Sequence, residues 1–186
     1  MRKFNYLILA LFAALLACNS ENTKNEKTTM NPFFSDYNTP FDIAPFDKIK
    51  NEHYMPAFEK GLEEHNKEIE KIVANTEEVS FANTIEALDY SGELLNKVSS
   101  VFYNQMSANT NDELQDIAKE LAPKMSRHRD EILLNEQLFA RVKAVYDQKE
   151  SLGLNTEQAQ LLDKTYKRFA RGGANLPNED REALKK

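Results

Sequence analysis

Three histidines, a single cysteine and thirty acidic residues are what this chain offers for acid–base, nucleophilic or metal chemistry, and their spacing argues against each. His53, His65 and His128 stand in no HExxH, the pattern that sets two imidazoles on one helix face to bind zinc with a glutamate beside them as base. Lys50, Leu62 and Met125 occupy the places three residues before them, so the Glu-x-x-His pair of a carboxylate-bridged dimetal bundle is missing too. His65 falls on an apolar helical stripe and reads as a partly buried structural residue. Asn109 to Glu120 has oxygen ligands at some positions of a calcium loop, but Leu114 takes the sixth place, where the sharp turn needs glycine. Glu63, Glu64, Glu68 and Glu70 read as the solvated face of one helix rather than an acid–base pair. Ser99 and Ser100 have no histidine near them in sequence, and there is no glycine-rich phosphate loop. These residues predict no catalytic site, no metal site and no cofactor within the chain.

Cys18 has a different chemistry. Arg2 and Lys3 precede an unbroken apolar stretch from Tyr6 to Ala17, whose twelve residues as helix rise only ~18 Å against a hydrocarbon core of about 30 Å. That suits an export signal over residues 1–17 better than a spanning helix. The stretch ends in Leu15-Leu16-Ala17-Cys18, which resembles a bacterial lipobox. In such sequences the thiol is first diacylglycerated, and cleavage before the cysteine then frees an amine for a further acyl chain. Cys18 is therefore the expected lipid attachment site, and several acyl chains at ~0.8 kcal/mol per buried methylene hold a protein firmly to a membrane. As the only cysteine it cannot form a disulfide within the chain. The expected location is the bacterial cell envelope, as a membrane lipoprotein on the periplasmic side or outer membrane. Residues 18–31 are polar apart from Met30 and read as a flexible tether.

The elements that must position everything else are helices. Hydrophobic residues are 41% and charged residues 29% of the 186, with five glycines and no tryptophan, a balance that favours helix over turn-rich sheet. The net charge is -6, and without Arg2 and Lys3 it becomes -8 (22 basic against 30 acidic), a surface that repels phosphate backbones and excludes nucleic acid as a partner. From Asn31 to Ile49, Pro32, Pro40 and Pro45 disfavour helix, while Phe33, Phe34, Phe41 and Phe46 predict a strand-like arm lying against the helices. The first helix is predicted over about Glu52 to Ala74, with Tyr54, Phe58, Leu62, His65, Ile69, Ile72 and Val73 on its apolar face. A second opens at Asn83 with Glu86 three residues on and carries Ile85, Leu88, Leu94, Leu95, Val98, Val101 and Phe102. A third opens at Thr110, carries Leu114, Ile117, Leu121, Met125 and Ile132, and should bend at Pro123. The fourth covers about Glu136 to Ser151 and ends at Gly153; the fifth covers about Thr156 to Arg171 and stops at Gly172-Gly173. A sixth begins after Pro177 and Asn178, and Lys186 follows with no C-cap or breaker, which reads as a cut. Short connections predict antiparallel neighbours in an all-α fold over residues 32–186.

In their order these segments resemble the N-terminal region of the thimet-oligopeptidase-like zinc peptidases, nearest the bacterial peptidyl-dipeptidases or dipeptidyl carboxypeptidases. The resemblance rests on Phe46-Asp47-Lys48-Ile49, Glu52-His53-Tyr54 and Pro56-Ala57-Phe58, on Asn83-Thr84-Ile85-Glu86-Ala87-Leu88, and on Ser91-Gly92-Glu93-Leu94-Leu95 with Val98-Ser99-Ser100-Val101-Phe102. It continues through Asn109-Thr110-Asn111-Asp112-Glu113-Leu114-Gln115, Leu138-Phe139-Ala140-Arg141-Val142 and Glu150-Ser151-Leu152-Gly153-Leu154 to Gly173-Ala174-Asn175-Leu176-Pro177. It implies a larger helical enzyme of two halves about a deep channel, with zinc held further along by HExxH and a later glutamate, and with short peptides as substrates. This chain would supply helices that wall the channel, and no catalytic residue carries over to it.

Two readings follow. One is the non-catalytic N-terminal part of a lipid-anchored zinc metallopeptidase that removes dipeptides from the C-terminus of short peptides, inactive alone. The other is a stand-alone lipid-anchored helical binding module without enzymatic activity, reaching the membrane through Cys18.

Overall fold

A computed structural model describes residues 30–177, 179 and 180, and the compact unit among them begins at Asn31. Among the described residues there is no strand. The helices are α1 (Tyr54–Ala74), the single turn α2 (Ala87–Asp89), α3 (Glu93–Ala108), α4 (Asp112–Leu133), α5 (Glu136–Asp147) and α6 (Thr156–Phe169). Wide π-helical turns over Phe81–Glu86 and Ala170–Ala174 lead into α2 and follow α6. The all-helical expectation is met. The leader, Cys18 and the tether before Met30 lie outside the described residues, as does most of the sixth expected helix.

Side chains at the helix starts occupy the orphan backbone donors of the first turn. Asn111 Oδ1 accepts from Leu114 N at 2.9 Å, Asn135 Oδ1 from Leu138 N at 2.9 Å, and Asn155 Oδ1 from Gln158 N at 2.9 Å. The third expected helix is therefore capped one residue later than Thr110, whose hydroxyl turns back to Met106 Sδ at 3.6 Å. Pro123 sits inside α4 without ending it. The fourth and fifth expected helices stop earlier than read, at Asp147 and Phe169, before runs of tighter and wider turns.

The second expected helix is two elements. Its cap is Ser80 and not Asn83: Ser80 Oγ accepts from Asn83 N at 3.2 Å, and Asn83 Oδ1 accepts Ser80 N at 2.9 Å in return. The chain then breaks at Tyr90–Gly92, because Gly92 has φ +76°, a left-handed conformation that side chains with a Cβ resist. The continuous apolar stripe on either side of the break had hidden it. The arm also differs from its reading as strand-like. It is built of 3₁₀ turns at Pro32–Phe34 and Pro40–Asp42, with Phe33 buried but Phe41 96% exposed and Phe46 half-exposed. Left-handed backbone at Phe41 and Asp42 turns that ring outward.

Contacts along α1 fix the topology. Phe58 meets Phe102, a Cβ on Gly61 would lie 3.0 Å from the backbone of Leu95, and His65 meets Ser91, so α3 runs antiparallel to α1. Asn51 meets Glu113, Glu59 meets Lys124 and His65 meets His128, so α4 runs parallel to α1. The apolar interior falls into two clusters. Tyr54, Ala57 and Phe58 of α1 join Leu95, Val98 and Phe102 of α3 and Leu114 and Leu121 of α4 in the first. Ile69 and Ile72 of α1 join Ile85, Leu88, Ile132, Leu138, Val142, Leu162 and Phe169 in the second. Helices α1 and α4 run through both, and the break at Tyr90–Gly92 is where the chain passes from one to the other.

Candidate functional site

At that crossing the three segments exchange polar contacts. Between Phe58 and Ile69 on α1 stands His65; between Leu121 and Ile132 on α4 stands His128; between Leu88 and Leu95 stands Ser91. His65 Nδ1 lies 2.9 Å from His128 Nε2, and His65 Nε2 lies 3.1 Å from Ser91 Oγ. The rings meet edge on, with centroids 4.8 Å apart. His128 and Ser91 are buried and His65 is half-buried. Beside them opens a pocket of about 250 Å³ walled by Asp89, Asn96, Thr165 and Arg168.

A serine, an imidazole and a second imidazole in line have the connectivity of nucleophile, base and orienting group. The protons run the other way. Ser91 Oγ donates its hydrogen to Leu88 O at 2.7 Å, so it accepts from His65 Nε2–H. His65 Nδ1 is then bare and accepts from His128 Nε2–H. His128 Nδ1 is buried with no partner, which suits a bare nitrogen better than an N–H donor. Next to the serine, Gly92 N–H donates to Glu68 Oε2 at 2.7 Å, so a carboxylate already occupies the amide that an oxyanion would need. The arrangement binds helices; it does not activate Ser91. Burial pushes both imidazoles below the usual histidine range. The His128 ring and Arg168 push His65 the same way against Glu68, while Glu131 opposes the shift at His128.

Glu68 corrects its reading as part of a solvated face: it crosses to the start of α3, where the helix dipole favours an anion. Glu63 and Glu64 keep that reading, paired on the surface with Lys67 and Lys60. His65 is structural as its stripe predicted, and His128 and Ser91 join it without any local signal. His53 is a cap: its Nδ1 accepts Lys50 N at 3.0 Å, and its carbonyl accepts Asn31 Nδ2 at 2.8 Å.

A second buried polar cluster was not foreseen. Arg141 projects from α5 among apolar neighbours, donating from Nη1 to Asn75 O at 2.8 Å and from Nη2 to Asn83 Oδ1 at 3.1 Å. It thereby ties the end of α1 to the Ser80–Asn83 cap. Its position beside Phe139 and Val142 on an otherwise apolar face was the available signal.

For a metal these groups fit poorly. His65 spends both nitrogens on His128 and Ser91, His128 Nε2 faces His65 while its Nδ1 is enclosed, and His53 Nδ1 takes a backbone amide with only Glu52 Oε1, at 3.9 Å, beside its Nε2. No group of three or more His, Cys, Asp or Glu able to hold a metal ion occurs among the described residues.

No family model matches the chain. Individual proteins do. It is 43% identical over 158 residues to the dipeptidyl carboxypeptidase of Escherichia coli, covering 85% of this chain and 23% of that protein. It is 32% identical over 152 residues to the thimet-like oligopeptidase of Dictyostelium discoideum, covering 80% of the chain and 21% of the relative. Oligopeptidase A of Escherichia coli is 26% identical over 144 residues, 77% of the chain and 21% of that protein. The chain spans less than a quarter of the length of each of these relatives. Over most of its own length, then, this chain belongs with the dipeptidyl carboxypeptidases and thimet-like oligopeptidases.

Proposed function

We propose that this chain forms the non-catalytic, channel-walling N-terminal part of a lipid-anchored zinc metallopeptidase that removes dipeptides from the C-termini of short peptides. The observation that carries the reading is 43% identity to a dipeptidyl carboxypeptidase across 85% of a chain that has no HExxH and no Glu-x-x-His. Two of its histidines bond to each other and the third caps a turn, so in this reading the zinc chemistry belongs to the rest of the enzyme. What its residues do is hold a wall: the close approach of α1 and α3 at Gly61, the His65 crossing and the Arg141 tie keep the helices in one arrangement. Phe41, Ile43 and Phe46, all exposed, are the apolar surface on which further protein would pack.

Purified alone, the chain should release no dipeptides from short peptides in a chelator-sensitive way. Such release, free of host peptidases, overturns the reading. The genomic sequence after Lys186 should continue, directly or after one frameshift, into an HExxH-bearing frame; a clean stop with no such frame supports the stand-alone binding module. Anchoring at Cys18 has its own test. Cys18→Ser should abolish lipid labelling and block cleavage before residue 18, and undiminished labelling refutes the anchor. Among the described residues no helix is long and apolar enough to cross a membrane.

A further inference from the structure

The hydrogen-bond line His128–His65–Ser91–Leu88 has a definite proton count, and it is full. Three hydrogens lie between four residues, each with one acceptor: His128 Nε2–H to His65 Nδ1, His65 Nε2–H to Ser91 Oγ, Ser91 Oγ–H to Leu88 O. A proton added at His65 Nδ1 would set two N–H groups against each other across 2.9 Å. Relief within the closed structure requires His128 to carry its hydrogen on Nδ1, which is enclosed and has no acceptor. A proton added directly to His128 Nδ1 meets the same enclosed wall, now with a full charge. Neither ring can take a proton without either opposing two N–H groups or burying an N–H that has no acceptor.

The three residues also mark the places where α1, α4 and the chain at the α2–α3 break pass between the two apolar clusters. We propose that this line is an acid-released clasp: it holds the break at Tyr90–Gly92 against α1 and α4 while both imidazoles are neutral, and one added proton opens it, freeing the two clusters to move at their junction. This goes beyond the peptidase reading and does not depend on it.

The charged groups facing the clasp come from four elements. Glu68 lies on α1, Asp89 on α2, Glu131 on α4 and Arg168 on α6. Glu68 and Glu131 favour the charged rings; burial and Arg168 disfavour them, and burial is the larger effect in both. The sense of the pH dependence follows. Folded rings resist a proton that unfolded rings accept near about pH 6.5, so the clasp is fully closed well above that value and weakens as the pH falls through it.

The test uses the purified chain with ¹⁵N-labelled histidine. At about pH 8, long-range ¹H–¹⁵N spectra should show His65 and His128 both as the Nε2–H tautomer. Between about pH 8 and pH 5.5, protection of the Gly92 amide, corrected for intrinsic exchange, should fall severalfold. Amides of α5 such as Val142 should change far less. In His128→Gln the amide can donate to a neutral His65 or, flipped, accept from a protonated one, so the acid-induced loss at Gly92 should disappear. An Nδ1–H tautomer at either ring, or equal Gly92 protection at both pH values in the unmodified chain, overturns the proposal even if His128→Gln fails to fold. Persistence of the loss in folded His128→Gln does so as well.

Discussion

His65, His128 and Ser91 join helices with neutral groups, whereas Arg141 joins them with a cation. The two clusters otherwise answer the same need, to fix segments distant in sequence: Ser91 is 26 and His128 63 residues from His65, and Asn75 is 66 from Arg141. The guanidinium spends its donors on a carbonyl at a helix end and an amide oxygen, acceptors that do not titrate. The imidazoles can gain a proton, and the closed geometry has no place for it. One cluster is therefore a fixed strut and the other a conditional one, although both are buried and hydrogen-bonded. Burial of polar groups alone does not say which kind a cluster is; the protons do.

The contrast can be broken most severely at the strut. Arg141→Met keeps much of the apolar stem but leaves Asn75 O and Asn83 Oδ1 without the charged donor. It should lower stability by about 2–3 kcal/mol, measured by urea unfolding, with a loss that is the same at neutral and mildly acidic pH. A loss that varies strongly with pH would erase the distinction.

Next in size is Gly92→Ala. The backbone there is left-handed and the new Cβ would sit 3.0 Å from the His65 ring, so strain and collision act together. A cost of about 1–3 kcal/mol is expected, and the His65 signals should move in NMR spectra because the ring must yield. Unchanged His65 signals would show that the crossing is looser than its distances state.

The pH profile of the unmodified chain sharpens the comparison more gently. Stability should be level above about pH 7.5 and fall as the pH drops through about 6.5, because both imidazoles are held below their usual range when folded. His65→Gln with His128→Gln should flatten this part of the profile, while Arg141→Met should leave its shape intact. Denaturant midpoints over a pH series distinguish these outcomes. The smallest effect belongs to the surface: Lys67→Ala removes an ion pair with Glu63 that is open to solvent, and the unfolding midpoint should not move measurably at any of these pH values. A clear shift there would mean that surface charge, too, holds α1 in place.

The sequence by itself determined the helices, because their signals are local. Apolar spacing of three and four places Phe58, Ile69, Leu121, Ile132 and Val142 inside, although spacing does not single out the asparagines that cap α4, α5 and α6, the first of which displaces the start expected at Thr110. It also foretold the structural role of His65 from the stripe on which that residue stands. The break at Gly92 escaped, since a left-handed glycine leaves the hydrophobic pattern on both sides undisturbed. Only tertiary structure decided that Glu68 reaches α3, that Arg141 reaches the end of α1, and that His128 and Ser91 take opposite sides of one imidazole. Periodicity reports which face of a helix is buried, but not which residue of another helix comes to lie against it. That choice is made by the packing of whole helices, and Gly61, where α1 and α3 approach to backbone contact, is one of the places that sets it.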